Sequence, residues 1–369
     1  MKKALLASSA LIGASMLATT AQAGTVGTSD TMSVTLSGYH IFQASATDFG
    51  NDSLSRGRGY RFSTQDTELQ WVASAKTDSG ITYGFNFQLD MAGAQDETFG
   101  FISGEFGTLR FGNEDGAANL MTGALGAGAA NSTRQGLVGG LYGLSHFDGQ
   151  AGAGDAHLMI SDNNPSSDSN KIVYLSPRVS GFQIGASWTP DAGSEGADGF
   201  DDNTSSENIG ELAVNYTGET SGAAFRVGAS YQFSDDQETA GANMEDFGIT
   251  QVGVDVTMNG LTLGATYRHN GDQGVALNAE GDGGNWWGLG ARYAMGPWTF
   301  QASVAKGTQD FGAAALEQQN KRFGAGVGYA VAPGWAVSAD YLAISRENNN
   351  GAATDEDASA IILTNTFSF

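Results

Sequence analysis

The sequence predicts an all-β fold, a transmembrane antiparallel β-barrel of sixteen strands. Three observations predict it. Apolar and polar residues alternate with a period of two through most of the chain, which is the strand period, because successive side chains point to opposite faces of a sheet. The links between the alternating runs are short and long by turns. Hydrophobic residues make up 40% of the 369 residues, yet after the first two dozen positions no run approaches the ~20 apolar residues of a membrane-crossing helix.

Composition narrows the choice further. Lys and Arg total 17 against 40 Asp and Glu, a net charge of -23. That sign opposes contact with phosphates and excludes a nucleic-acid partner. The absence of Cys rules out disulfide scaffolds and thiolate zinc sites. A total of 20 Phe, 11 Tyr and 6 Trp is too many for an acidic disordered chain. With 54 Gly, long helices are disfavoured.

The elements follow in order. Met1-Lys2-Lys3 is a basic start, residues 4–18 are apolar or small, and Ala21-Gln22-Ala23 has the form of a cleavage site. Residues 1–23 therefore read as a secretory signal peptide, cleaved after Ala23. One domain, 24–369, remains; without Lys2 and Lys3 its net charge falls to -25. Strand patterning is plain where Tyr83, Phe85 and Phe87 alternate with Gly84, Asn86 and Gln88, and where Phe225, Val227 and Ala229 alternate with Arg226, Gly228 and Ser230. It recurs where Trp298, Phe300 and Ala302 alternate with Thr299, Gln301 and Ser303. Seven short links fall at 77–80, 105–107, 177–181, 217–222, 259–260, 295–297 and 332–334. Asn259-Gly260 is a hairpin signal, since both central positions of a type I′ turn need φ > 0. Eight long polar links fall at 45–58, 91–97, 114–168, 190–207, 235–246, 270–285, 306–318 and 346–357. Fifteen links join sixteen strands, each expected to span a bilayer with roughly 9–11 residues.

Alternation alone also suits a soluble β-sandwich with its apolar side chains inside. Sixteen strands would then share one core of a size at which soluble chains divide. Turned inside out, the pattern puts apolar side chains against lipid and polar ones around water, and closure leaves no unpaired edge in the hydrocarbon. Aromatic residues near strand ends fit the headgroup level: Tyr39, Phe42, Tyr60, Trp71, Phe182, Trp188, Trp286, Trp287, Trp298, Trp335 and Tyr341.

Two segments carry a resemblance. Residues 103–113, Ser-Gly-Glu-Phe-Gly-Thr-Leu-Arg-Phe-Gly-Asn, resemble the G-x-F-G-T-L-x-x-G stretch that leads into the constriction loop of general diffusion porins of Gram-negative outer membranes, especially the alpha-proteobacterial type. At the other end, Ile361, Leu363, Phe367 and Phe369 share one parity, interrupted by Asn365, and the chain ends on Phe369. With the signal peptide and strand number, the resemblance spans 24–369. It implies a homotrimer of sixteen-stranded barrels with short periplasmic turns and long extracellular loops. Residues 114–168 would be the third loop, folded into the lumen as a constriction, with a strand expected at 156–160 and a helical turn at 136–144. It also implies Sec-type export, an outer-membrane location, and recognition of the strand ending in Phe369 by the barrel-assembly machinery. The function implied is passive diffusion of ions and small hydrophilic solutes, without enzyme chemistry or a cofactor.

In such a pore an acidic loop faces a basic wall, and opposed charges set ion preference. The loop candidates are Glu114, Asp115, Asp148 and Asp155; the wall candidates are Arg56, Arg58, Arg61, Arg110, Arg292 and Arg322. Parity also turns Arg226, Arg268, Glu68, Asp90, Glu211, Asp255 and Asp340 toward the lumen. The acid excess predicts cation preference. Asp198, Asp201 and Asp202 lie in a dense acidic loop that could bind structural Ca2+ or Mg2+ weakly, or bridge through such ions to lipopolysaccharide. Two other readings stay open: a substrate-specific channel for a sugar or small anion, and, less favoured, a barrel enzyme. Four His residues are present and none sits in a G-x-S-x-G run.

Overall fold

Alternation becomes strand throughout the computed structural model, which describes residues 24–28, 32–49, 59–90, 95–123, 125–126, 165–193, 205–234, 238–239, 242–278, 281–310, 317–348 and 356–369. In chain order the first elements are β1 (Gly24–Thr28), β2 (Ser33–Phe49), β3 (Tyr60–Lys76), β4 (Thr82–Leu89), β5 (Gln95–Gly104) and β6 (Gly107–Asn113), then one short helix, α1 (Ala117–Thr122). There follow β7 (Asn170–Leu175), β8 (Phe182–Asp191), β9 (Glu207–Thr220), β10 (Ala223–Ser234), and the two-residue β11 (Glu238–Thr239) and β12 (Ala242–Asn243). The rest are β13 (Phe247–Met258), β14 (Leu261–His269), β15 (Asp282–Met295), β16 (Trp298–Asp310), β17 (Glu317–Ala332), β18 (Trp335–Asn348) and β19 (Glu356–Ser368).

Sixteen of these strands form one closed antiparallel barrel. Each pairs with its neighbour along the chain, β10 pairs directly with β13, and β19 returns to β2 with Ala358 opposite Phe49 and Ser368 opposite Tyr39. At the end of that seam Phe369 exchanges two backbone hydrogen bonds with Gly38, at 3.0 and 3.2 Å. The small strand β1 then takes up the same edge of β2, Gly24 opposite Leu36 and Thr28 opposite Ser33. Both β19 and β1 run antiparallel to β2, so Gly24 follows Phe369 head to tail. β11 and β12 pair only with each other, within the link between β10 and β13.

All seven short links are turns. Asn259 and Gly260 both take positive φ, 51° and 82°, as a two-residue type I′ hairpin requires. The long links are tighter than the sequence suggests. β2 continues to Phe49, β5 begins at Gln95, β15 at Asp282, β16 continues to Asp310 and β18 to Asn348. The sixteen barrel strands therefore range from 6 residues in β7 to 17 in β2 and β3, not 9–11. Polar residues such as Thr47, Asp48, Thr308 and Gln309 do not halt a ladder, because backbone pairing continues into the aqueous layer where no apolar face is needed.

Burial is inverted relative to a soluble protein. Phe62, Ile172, Ile361 and Leu289 are exposed, while Gln43, Gln70, Asn86, Gln232, Thr299 and Gln301 are buried. The polar side chains fill the inside and the apolar ones face outward, as a bilayer demands. Paired aromatic rings mark both rims. Trp298 and Tyr329 (4.7 Å), Trp335 and Phe367 (5.9 Å), and Phe182 and Tyr216 (4.8 Å) gather at the short-turn end. Phe42 with Phe62, and Tyr231 with Phe233, gather toward the long loops. Two expected rim aromatics point inward instead. Tyr39 donates to Asp66 at 2.9 Å and Glu68 at 2.8 Å, and Trp286 is buried beside the outward Trp287. Adjacent residues on a strand cannot share a face, so one of the two tryptophans had to enter the barrel.

Candidate functional site

After β6 the chain turns inside the barrel. Its first residues, Glu114 and Asp115, are buried, and Arg110 Nη1 reaches Glu114 Oε2 at 2.6 Å. The Arg110 guanidinium also lies over the Phe99 ring, 5.1 Å from its centroid. From β7, Lys171 is buried and its ammonium donates to the carbonyls of Glu114, Ser167 (2.6 Å) and Ser169 (2.8 Å). One lysine thus holds the outgoing and returning ends of the loop together. Burial, partly offset by Arg110, pushes the Glu114 carboxyl up to about 7 from its ordinary 4.5.

Helix α1 is seated on the inner wall of β8, β9, β10 and β13. Six residues cannot sustain a helix alone, and the wall satisfies the ends that a helix leaves open. Ala117 N–H donates to Ser187 Oγ (3.0 Å) and Ala118 N–H to Glu211 Oε2 (2.8 Å). Glu211 also accepts from Ser166 Oγ at 2.6 Å. At the other end Asn215 Nδ2 donates to the Met121 carbonyl at 3.1 Å, and the Thr122 and Ser230 hydroxyls are 3.0 Å apart. Under the last turn of the helix and Leu125, just beyond it, the wall is glycine. A Cβ on Gly228 would meet Leu125 Cδ1 at 2.7 Å, and one on Gly253 would meet Leu125 Cβ at 2.6 Å. The loop therefore begins inside the lumen and narrows it.

The description Gram-negative porin fits residues 7–352 of the sequence. The chain belongs to that family. It forms an outer-membrane porin channel. Among solved structures the barrel is similar to an anion-selective porin from Comamonas acidovorans, at 16% identity, with 92% of this chain and 100% of that one covered and a TM-score of 0.65. It is also similar to OmpT of Vibrio cholerae in a trimer form (14% identity, 92% and 100% covered, TM-score 0.59). A mutant Rh. blastica porin matches at 20% identity, with 91% and 100% covered and a TM-score of 0.56. Among proteins with curated descriptions none matches.

Within this porin the sequence-predicted charges divide. Arg110, Glu114 and Asp115 come together at the loop root, where they anchor rather than face open water. Arg61 faces inward on β3, opposite the buried Ser45. Arg322 is buried on the inner face of β17. Arg292 lies within electrostatic reach of Arg226 and Asp255, and Arg226 is ion-paired with Asp255 while keeping 46% of its side chain exposed. This pair sits one inward step below Gly228 and Gly253, beneath the helix seat. Arg56, Arg58, Asp148 and Asp155 lie outside the described residues, as do Asp198, Asp201 and Asp202, the expected pieces at 136–144 and 156–160, and the signal segment.

Sequence reasoning missed three things here. Lys171 is a lone cation in a strand, and nothing local marks it as a clamp. Glu211 reads as one more lumen carboxylate, although it caps a helix 93 positions away. Glu97, Asp115 and Asp168 bring carboxylate oxygens within 4.8 Å of one another, a hard oxygen set that suits Ca2+ or Mg2+ chemically. The Ala-Ala-Asn-Leu-Met run after Gly116 was the available signal for the helix.

Proposed function

We propose that this porin is a passive channel for ions and small hydrophilic solutes, with cations preferred and no catalytic chemistry. The observation that carries the reading is the loop root and helix seat inside the lumen. They gather carboxylates from β5, the loop root and β9 (Glu97, Glu114, Asp115, Asp168, Glu211), most of them buried, behind one side of the passage, where they act through their field. Opposed charge in a narrow aqueous passage selects by sign. The preference rests on the acid excess, -25 for residues 24–369. The feature acting against it is the Arg226–Arg292 wall, and a barrel of the same fold is described as anion-selective. Purified protein in planar bilayers should give stable conductance steps, and a KCl gradient should give a reversal potential of the cation-selective sign. Absence of steps would sink the channel reading; the opposite sign would sink only the charge argument.

The rest of the proposal concerns assembly. The barrel works as a homotrimer in the outer membrane, in contact with lipopolysaccharide, after Sec-type export and signal cleavage after Ala23. The strand ending at Phe369 is the segment that the barrel-assembly machinery reads. With cleavage after Ala23, the new amine at Gly24 would lie beside the Phe369 carboxylate, since both meet the same edge of β2. A divalent ion at Glu97, Asp115 and Asp168 is a structural accessory of the loop root in this reading, additional to the one expected at Asp198, Asp201 and Asp202.

A further inference from the structure

Residues 24–369 contain four lysines: Lys76, Lys171, Lys306 and Lys321. Two of them, Lys306 on β16 and Lys321 on β17, are directly opposite each other across the strand pair. Both share the parity of Val304 and Phe323, which are exposed on the outer face. In a chain with so few cations, placing two at one cross-strand position is costly, because like charges directly opposite destabilise a sheet. Lys321 is ion-paired with Glu347. Lys306 has no ion pair among the described residues, and its other lateral neighbour is Trp287, opposite it on β15. Asp357 is two strands from Lys321. The row continues to Tyr267 opposite Trp287, so the lysines stand in a band of aromatic residues of the kind that marks the membrane–water boundary.

Below this row, on the same outer face, lies a shallow apolar groove of about 690 Å³. Its floor is made of small residues, Ala291, Ala302 and Ala325, which face one another across β15, β16 and β17. Its rims are Tyr293, Phe300 and Tyr341. Ala302 and Ala325 are each four residues from their lysine, about 13 Å along the strand. A phosphate held at the lysines would place an attached hydrocarbon chain in the groove.

We propose that Lys306, Lys321 and this groove form a binding site for one phosphate-bearing lipid of the surrounding leaflet. The lysines pair with its phosphate and Ala291, Ala302 and Ala325 receive an acyl chain. The proposal rests on the outer-membrane reading but not on ion conduction. The lysines relieve their mutual repulsion by sharing one anion, and their long stems lie along apolar surface while the charged ends reach the boundary. The alanines matter because larger residues would fill the depression.

The test uses the purified full-chain protein in detergent, with diphosphoryl lipid A as probe and phosphatidylcholine as the net-neutral comparison, occupancy being read by native mass spectrometry. Wild type should retain lipid A in preference to phosphatidylcholine. The double variant Lys306→Gln with Lys321→Gln should bind lipid A roughly 30-fold more weakly, about a kcal/mol for each lysine. Its single-channel conductance should be unchanged. Arginine at both positions should preserve binding, and Ala302→Leu with Ala325→Leu should weaken it with both lysines intact. Undiminished binding to the double glutamine variant, or equal retention of phosphatidylcholine, overturns the proposal. Full displacement of lipid A by excess inorganic phosphate overturns the acyl groove. If the double glutamine variant does not fold, Lys306→Gln alone decides, with unchanged binding counting against the site. Loss of lipid binding with normal conductance leaves the channel reading standing, and normal lipid selectivity without conductance removes only the channel reading.

Discussion

The third loop is held at two places by different physics. At its root, charge dominates: Arg110 meets Glu114, and Lys171 gathers three loop carbonyls. A few residues along, at the seat of α1, shape dominates: Gly228 and Gly253 make room for Leu125, and neutral groups bond most of the helix ends. The root fixes where the loop leaves the wall. The seat fixes which wall it lies against. Charge in a buried setting tolerates little loss, because removing one partner leaves the other uncompensated. Shape is lost in smaller steps.

The first way to break this contrast is Lys171→Met. It removes the clamp while keeping the volume, and it leaves Glu211, Asp115 and Asp168 without the cation near them. Loss of a buried charged partner costs about 3–5 kcal/mol. The expected outcome is a loop cleaved by protease far faster than in wild type, within a barrel that still runs as folded protein on unheated gels. Equal protease resistance would mean that Lys171 does not hold the root.

Next comes Glu211→Ala, which strips the Ala118 N–H and the Ser166 hydroxyl of their acceptor. Leaving buried donors unmade costs about 1–3 kcal/mol. Glu211→Gln should recover part of that, since it keeps one acceptor oxygen. Noisier open-channel current, with more frequent sub-conductance levels, is the expected readout, and an unchanged trace would separate the helix from the current path.

Gly253→Val tests shape alone. Its Cβ would lie 2.6 Å from Leu125 Cβ, a position that cannot swing away as a side-chain tip can. Overpacking of this kind costs about 1–3 kcal/mol. The helix should be displaced from its seat and the mean conductance altered, with the barrel's thermal unfolding nearly unchanged. Conductance identical to wild type would show that the seat does not define the passage.

The barrel was legible because its signal is local and repeated. Tyr83 to Leu89 states its two faces without help from any distant residue, and Asn259-Gly260 states its turn. The loop was legible only as a length and a charge. Glu114 and Asp115 could be named as important, but not as buried, because burial depends on Lys171 arriving from the far end of the loop. The seat was hidden more deeply. Gly228 and Gly253 look like ordinary inward small residues, and only three-dimensional pairing brings both under Leu125. Trp286 differs from expectation for a simpler reason: it and Trp287 both suit the rim by residue type, but adjacent strand positions face opposite sides, so only Trp287 faces outward.

The smallest expected effect is a pH dependence, and it sharpens the contrast because it acts on the root alone. Glu114 titrates near 7 in the folded protein against an ordinary 4.5. A carboxyl raised in this way favours the folded root while protonated, so its contribution is complete below 4.5 and is lost as pH rises through about 7. Protease resistance at the root should therefore be greater at pH 5 than at pH 8, as far as this group is concerned, whereas contacts at the glycine seat should not respond. Cation preference moves the other way, since the ionised form adds negative charge to the loop. The reversal potential in a KCl gradient should become more cation-selective between those two pH values. Glu114→Gln should flatten both trends together. If the selectivity change persists in that variant while the protease trend disappears, the carboxylates that set ion preference lie elsewhere in the lumen and Glu114 serves only as an anchor.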